Sequence, residues 1–69
     1  MRIRIQDYEG GNVRNIEYLG TVSLFVNVHY AAWGFYRIIK TGRERFAITD
    51  IFTGELIAEI SKAPKGATN

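Results

Sequence analysis

Cysteine is absent from the 69-residue chain, and that one absence removes disulfide staples, thiolate zinc sites and a cysteine nucleophile together. Small secreted domains commonly need such staples, so the composition points to a cytoplasmic setting. Histidine occurs once, as His29. A single imidazole without thiolates does not make a zinc site, and no serine or cysteine near it completes a nucleophilic triad. Long apolar runs are also missing. The longest are broken by Asn27, His29 and Gly34, well short of the roughly 20 residues that a membrane-spanning helix requires. Residues 1–8 alternate arginine with isoleucine and do not read as a signal segment. No membrane association is expected.

The length allows one domain. A chain of this size buries only about 60% of the surface its unfolded form exposes, which leaves little room for a deep cofactor pocket, and no cofactor is expected. Its net stability should be only about 3–5 kcal/mol, a deficit that self-association as a homodimer would offset.

The formal charge is +2, with a pI near 9.2. Residues 1–61 hold seven cations (Arg2, Arg4, Arg14, Arg37, Lys40, Arg43, Arg45) against seven acids (Asp7, Glu9, Glu17, Glu44, Asp50, Glu55, Glu59). The excess therefore comes from Lys62 and Lys65, in a segment (62–69) that contains the only proline and reads as a flexible C-terminal tail. Phosphate binding needs clustered positive charge, and a formal excess in a tail does not supply it.

What the chain does have is a β rhythm. Glycines recur at 20, 34, 42 and 54, close to the spacing of short strands joined by tight turns. Met1, Ile3 and Ile5 alternate with Arg2, Arg4, Gln6 and Tyr8, which predicts a half-buried strand followed by a turn at Glu9-Gly10-Gly11-Asn12. Val13 to Leu19 follows as a less regular strand. From Thr21 to Tyr30 the period-two alternation is the cleanest in the chain and predicts a third. Ala32-Trp33-Gly34, Lys40-Thr41-Gly42 and Phe52-Thr53-Gly54 each place a glycine where a three-residue hairpin loop needs positive φ, with strands over 35–39, 45–51 and 55–60 between and after them. The expected fold is a single all-β domain over residues 1–61: an antiparallel meander of about six strands, forming a barrel of SH3-like size or a twisted sheet. The alternative is α+β. Val28, Ala31, Ala32, Phe35, Tyr36 and Ile39 have helical spacing, and Asn27 and Gly42 could bound a helix near residues 28–40; Gly34 and the β-branched and aromatic residues oppose it.

No catalytic constellation emerges. Lys40-Thr41-Gly42 matches a string of serine β-lactamases, but neither serine is followed three residues later by lysine, so the match is chance. No phosphate-loop glycine pattern occurs. Asp7 and Glu9 flank a turn and read as solvated charge. An enzyme is not expected.

Two surfaces stand out. Arg2, Arg4 and Tyr8 lie along one strand face, where guanidinium groups and a ring could track a phosphate backbone with a stacked base; the plainer reading is a charged edge strand protected from aggregation. His29, Tyr30, Trp33, Phe35 and Tyr36 crowd around one turn, with Phe25 nearby, and a domain this small has difficulty burying so many rings. Aromatic residues and arginine dominate binding energy at protein interfaces. This selects Trp33, Tyr36, Arg37, His29 and Phe25 as partner-binding residues, unless Trp33 plugs the core. The expected function is non-enzymatic binding of a protein partner or a second copy, in a small regulatory, inhibitory or assembly role. Nucleic-acid binding through Arg2, Arg4 and Tyr8 is the alternative.

Overall fold

The computed structural model describes residues 1–64. In chain order the elements are β1 (Arg2–Asp7), β2 (Asn12–Glu17), α1 (Val22–His29), a 3-10 turn (Ala31–Trp33), β3 (Tyr36–Gly42), β4 (Arg45–Asp50) and β5 (Leu56–Lys62). All five strands belong to one antiparallel sheet in the order β2-β1-β5-β4-β3. The antiparallel, mostly-sheet architecture is the one expected; its details differ in three ways.

The first concerns residues 21–30, where a helix over Val22–His29 stands in place of the expected strand. Two patterns coexist in this segment: Val22, Leu24, Val26 and Val28 alternate, while Val22, Phe25 and Val26 stand at i, i+3 and i+4. The second wins because it covers something. Ile3, Ile5, Ile48 and Ile60 line one face of the sheet, and Val22, Phe25 and Val26 close over them to make the core. Each such side chain contributes about 1.5–3 kcal/mol on burial, more than the β preference of the segment can oppose. Thr21 caps the helix, its Oγ1 accepting the Leu24 N–H at 3.1 Å. The alternative helix near 28–40 is not found either. The α-helix stops at His29, Gly34 takes the left-handed conformation at φ 76°, and the chain then extends as β3.

The second difference is connectivity. A meander would place each strand beside its sequence neighbour, but β1 lies between β2 and β5, with Ile3 opposite Ile16 on one side and Ile5 opposite Ile60 on the other. Among the described residues there are five strands, not six, and the sheet stays open with β2 and β3 as its edges.

The third concerns boundaries. The turn at Phe52-Thr53-Gly54 is as expected: Gly54 has φ 76°, and its N–H donates to the Asp50 carbonyl. Lys40-Thr41-Gly42 does not reverse the chain. The β3 strand continues through Gly42, and the reversal comes at Arg43-Glu44, where Glu44 takes φ 54°. At the C-terminus β5 includes Lys62, and the Ala63 N–H donates to the Arg2 carbonyl at 2.9 Å. Lys62 thus belongs to the sheet and not to a tail; residues 65–69 of the expected tail lie outside the described residues.

Candidate interaction surface

The aromatic residues divide into two groups. Phe25 is only 5% exposed and belongs to the core, so almost none of its ring is at the surface. Its ring lies 4.4 Å from His29 and 5.1 Å from Tyr18, and Tyr30 links it to Tyr36 through edge-on contacts at 6.5 and 5.6 Å. His29 and Tyr36 are therefore held within a chain of rings on the helix side of the sheet. Burial raises the Tyr30 hydroxyl above its ordinary value, with the Asp7 charge adding to the effect. Trp33 lies outside this chain and is 65% exposed, so it does not plug the core. Phe35 beside it is exposed too. Arg37 is exposed but carried on the opposite face from Tyr36, its strand neighbour. The five residues selected from sequence are thus distributed over the core, the helix side and the open face.

The Arg2, Arg4 and Tyr8 stripe lies on the open face, as the alternation predicts. Its polar groups are engaged within the fold. Arg2 Nη1 donates to Glu17 Oε1 at 3.3 Å, Arg4 Nη2 donates to Gln6 Oε1 at 3.2 Å, and the Tyr8 hydroxyl donates to the Glu59 carboxylate. That bond to Glu59 is the main reason the Tyr8 hydroxyl titrates above its ordinary value. Sequence alone did not show these pairings, since Glu17 and Glu59 reach the stripe only through the sheet register.

A concavity lies elsewhere on the open face, at the β3 side. It measures about 370 Å³ and is lined by Arg37 and Ile39 from β3, Thr49 and Asp50 from β4, and Ile51, Phe52, Thr53 and Gly54 from the turn before β5. Asp50 shapes this turn, Oδ1 accepting the N–H groups of Phe52 at 2.8 Å and Thr53 at 2.9 Å. The same bonds hold its carboxyl below the usual value. With its backbone fixed in this way, Phe52 projects into solvent, 87% exposed. Ile39, Ile51 and Phe35 are exposed around it. Three apolar side chains of this rim, Ile39, Ile51 and Phe52, were not singled out from sequence. Phe52, an aromatic residue inside a tight turn, was the available signal.

The outer edge of β3 adjoins this groove. The Ile51 N–H donates to the Phe35 carbonyl, and Arg37 and Ile39 follow in the same register opposite Thr49 and Ala47. Hydrogen-bonded pairs alternate along an antiparallel ladder, so Phe35, Arg37 and Ile39 turn their backbone groups to β4, while Tyr36, Ile38 and Lys40 turn theirs outward. No strand pairs with that edge among the described residues.

Among the described residues no group of His, Cys, Asp and Glu could hold a metal ion, and no helix is long and apolar enough to cross a membrane. Comparison with protein-family models, curated proteins and solved structures returned no match, so the functional reading rests on the residues above.

Proposed function

We propose that the chain is a non-enzymatic binding module, of regulatory, inhibitory or assembly type and acting in the cytoplasm, which engages a protein partner at the β3 side of its sheet. The observation that carries this reading is a coincidence in space: a strand edge unpaired among the described residues, a groove of about 370 Å³ and the exposed side chains of Phe35, Ile39, Ile51 and Phe52 lie together. Exposed apolar groups scattered singly are ordinary, but grouped ones mark contact sites. Of the residues selected from sequence, Arg37 lines the groove, and Trp33 lies exposed in the turn that leads into β3.

The test is capture from a lysate of the native host on immobilised protein, comparing wild type with Phe52→Ala and Trp33→Ala. Both residues are exposed, so the variants should keep the wild-type circular dichroism spectrum. Loss of the same captured protein, identified by mass spectrometry, is the expected result. Unchanged capture by both variants, or a salt-sensitive oligonucleotide complex at about 50 mM salt that disappears on Arg2→Ala and Arg4→Ala, would reject the reading.

A further inference from the structure

We infer that the β3 edge takes an extended peptide segment of the pattern acid-apolar-apolar-acid, which joins the sheet as a sixth strand. This inference rests on the protein-partner reading and specifies the chemistry of the partner. Residues 37–40 read Arg37, Ile38, Ile39, Lys40, a cation, two apolar residues and a cation. Arg37 and Ile39 stand on the open face, opposite Thr49 and Ala47 of β4; Ile38 and Lys40 stand on the helix side, opposite Ile48 and Phe46. A strand laid along the outer edge would meet the backbone groups of Tyr36, Ile38 and Lys40, and its side chains would meet these four in turn. A carboxylate is favoured opposite Arg37 and another opposite Lys40, with apolar residues opposite Ile38 and Ile39. The pattern reads the same in both directions, so it suits a parallel or an antiparallel docking.

Charge decides between this occupant and the β3 strand of a second copy of the chain. Neither Arg37 nor Lys40 has an ion-pair or side-chain hydrogen-bond partner among the described residues, and Arg43 follows in the adjoining turn. The two acids nearest in the chain do not lie along the edge: Glu44 is in the turn, and the Asp50 carboxylate accepts the Phe52 and Thr53 N–H groups. A second β3 would add the same cations and no acid, whereas an acidic segment neutralises both. Lysine on an edge strand also resists pairing with unselected edges, so the same charges that reject a like strand select an acidic one.

The experiment uses a fluorescein-labelled peptide with the core Glu-Val-Val-Glu and a control with Lys-Val-Val-Lys, titrated with the full chain and read by fluorescence anisotropy. The expected result is that the acidic peptide binds, weakens at least about tenfold between low and 0.5 M salt, and slows amide exchange at Tyr36, Ile38 and Lys40. The double variant Arg37→Glu, Lys40→Glu should lose the acidic peptide and gain the basic one, with an unchanged circular dichroism spectrum. Equal binding of the two peptides, binding of neither, or protection of β3 amides by concentration-dependent dimerisation without peptide would overturn the inference. If the peptides fail while Phe52→Ala still abolishes host-partner capture, only the acidic-strand inference falls; if that capture is also unaffected, the protein-partner reading falls with it.

Discussion

Arg2 and Arg4, near the β2 edge, are bonded to Glu17 and Gln6, whereas Arg37 and Lys40, on the β3 edge, have no such partners among the described residues. Apolar residues are exposed on both sides, Tyr8, Val13 and Leu19 near β1 and β2 as well as Ile39, Ile51 and Phe52 near β3. What differs is the grouping: Ile39, Ile51 and Phe52 line one groove. The contrast teaches where the molecule satisfies itself and where it leaves contacts for something outside it. Local stability does not require the β3 side to be arranged in this way, since β3 could carry a polar residue at 39 and the β4–β5 turn one at 52 without disturbing the core.

The largest expected difference between the two regions comes from truncating one isoleucine in each. Ile3 is fully buried between β2, β5 and the helix, and Ile3→Ala should cost about 2–5 kcal/mol through lost transfer energy and a residual cavity. That is comparable with the stability expected of an unstapled domain this small, so the variant should be substantially unfolded near 25 °C. Ile39→Ala on β3 should change the urea midpoint by an amount worth less than about 1 kcal/mol. Equal losses would mean that the β3 side is part of the core and would break the comparison.

The two regions were also unequally legible in the sequence. The β1 strand was readable because its determinant is local: Ile3 and Ile5 alternate with Arg2 and Arg4, and period two needs no knowledge of partners. The turn at Phe52-Thr53-Gly54 was readable for the same reason, since only glycine takes φ near 76° without strain. Residues 22–29 alternate like a strand yet fold as a helix, because Val22 and Val26 satisfy both periods and the choice falls to the uncovered isoleucines of distant strands. Thr21, able to cap, and the i, i+3, i+4 spacing of Val22, Phe25 and Val26 are the local signs of the helix. Strand order was hidden for a related reason, because no pattern within β1 or β5 announces that Ile5 will face Ile60. The charge pairings inherit that blindness: Glu59 meets Tyr8 across 51 positions of sequence. The groove was invisible until the β4–β5 turn and β3 were placed side by side.

A smaller and more local effect should appear on acidification, confined to the β3 side. The Asp50 carboxyl titrates below its ordinary value of 3.8 because the backbone N–H groups of Thr53 and Phe52 bind its ionised form, against a weaker opposing contribution from desolvation. A group depressed in the folded state contributes stability that is present above its unfolded value and is lost as pH falls through the folded one. The turn that presents Phe52 should therefore loosen as pH drops below about 4, while β1 amides respond less. Amide exchange at Phe52 and Thr53, followed over roughly pH 5 to 2, measures this, with Asp50→Asn as the non-titrating control. If wild type and Asp50→Asn respond alike, the Asp50 charge does not organise the turn.

The smallest effects concern the charges themselves and sharpen the comparison most directly. Arg2 and Glu17 are both substantially exposed at 3.3 Å, so a double-mutant cycle with Arg2→Ala and Glu17→Ala should give a coupling of only about 0.2–1 kcal/mol, decreasing with salt. The cycle is needed because the Arg2 stem also packs in the sheet, and single substitutions would mix that loss with the charge. A matching cycle on Arg37 and Glu44 should give a coupling indistinguishable from zero. Were it as large as that of Arg2 with Glu17, the β3 cations would already be neutralised from within, and the charge that distinguishes this edge would not be available to an acidic strand.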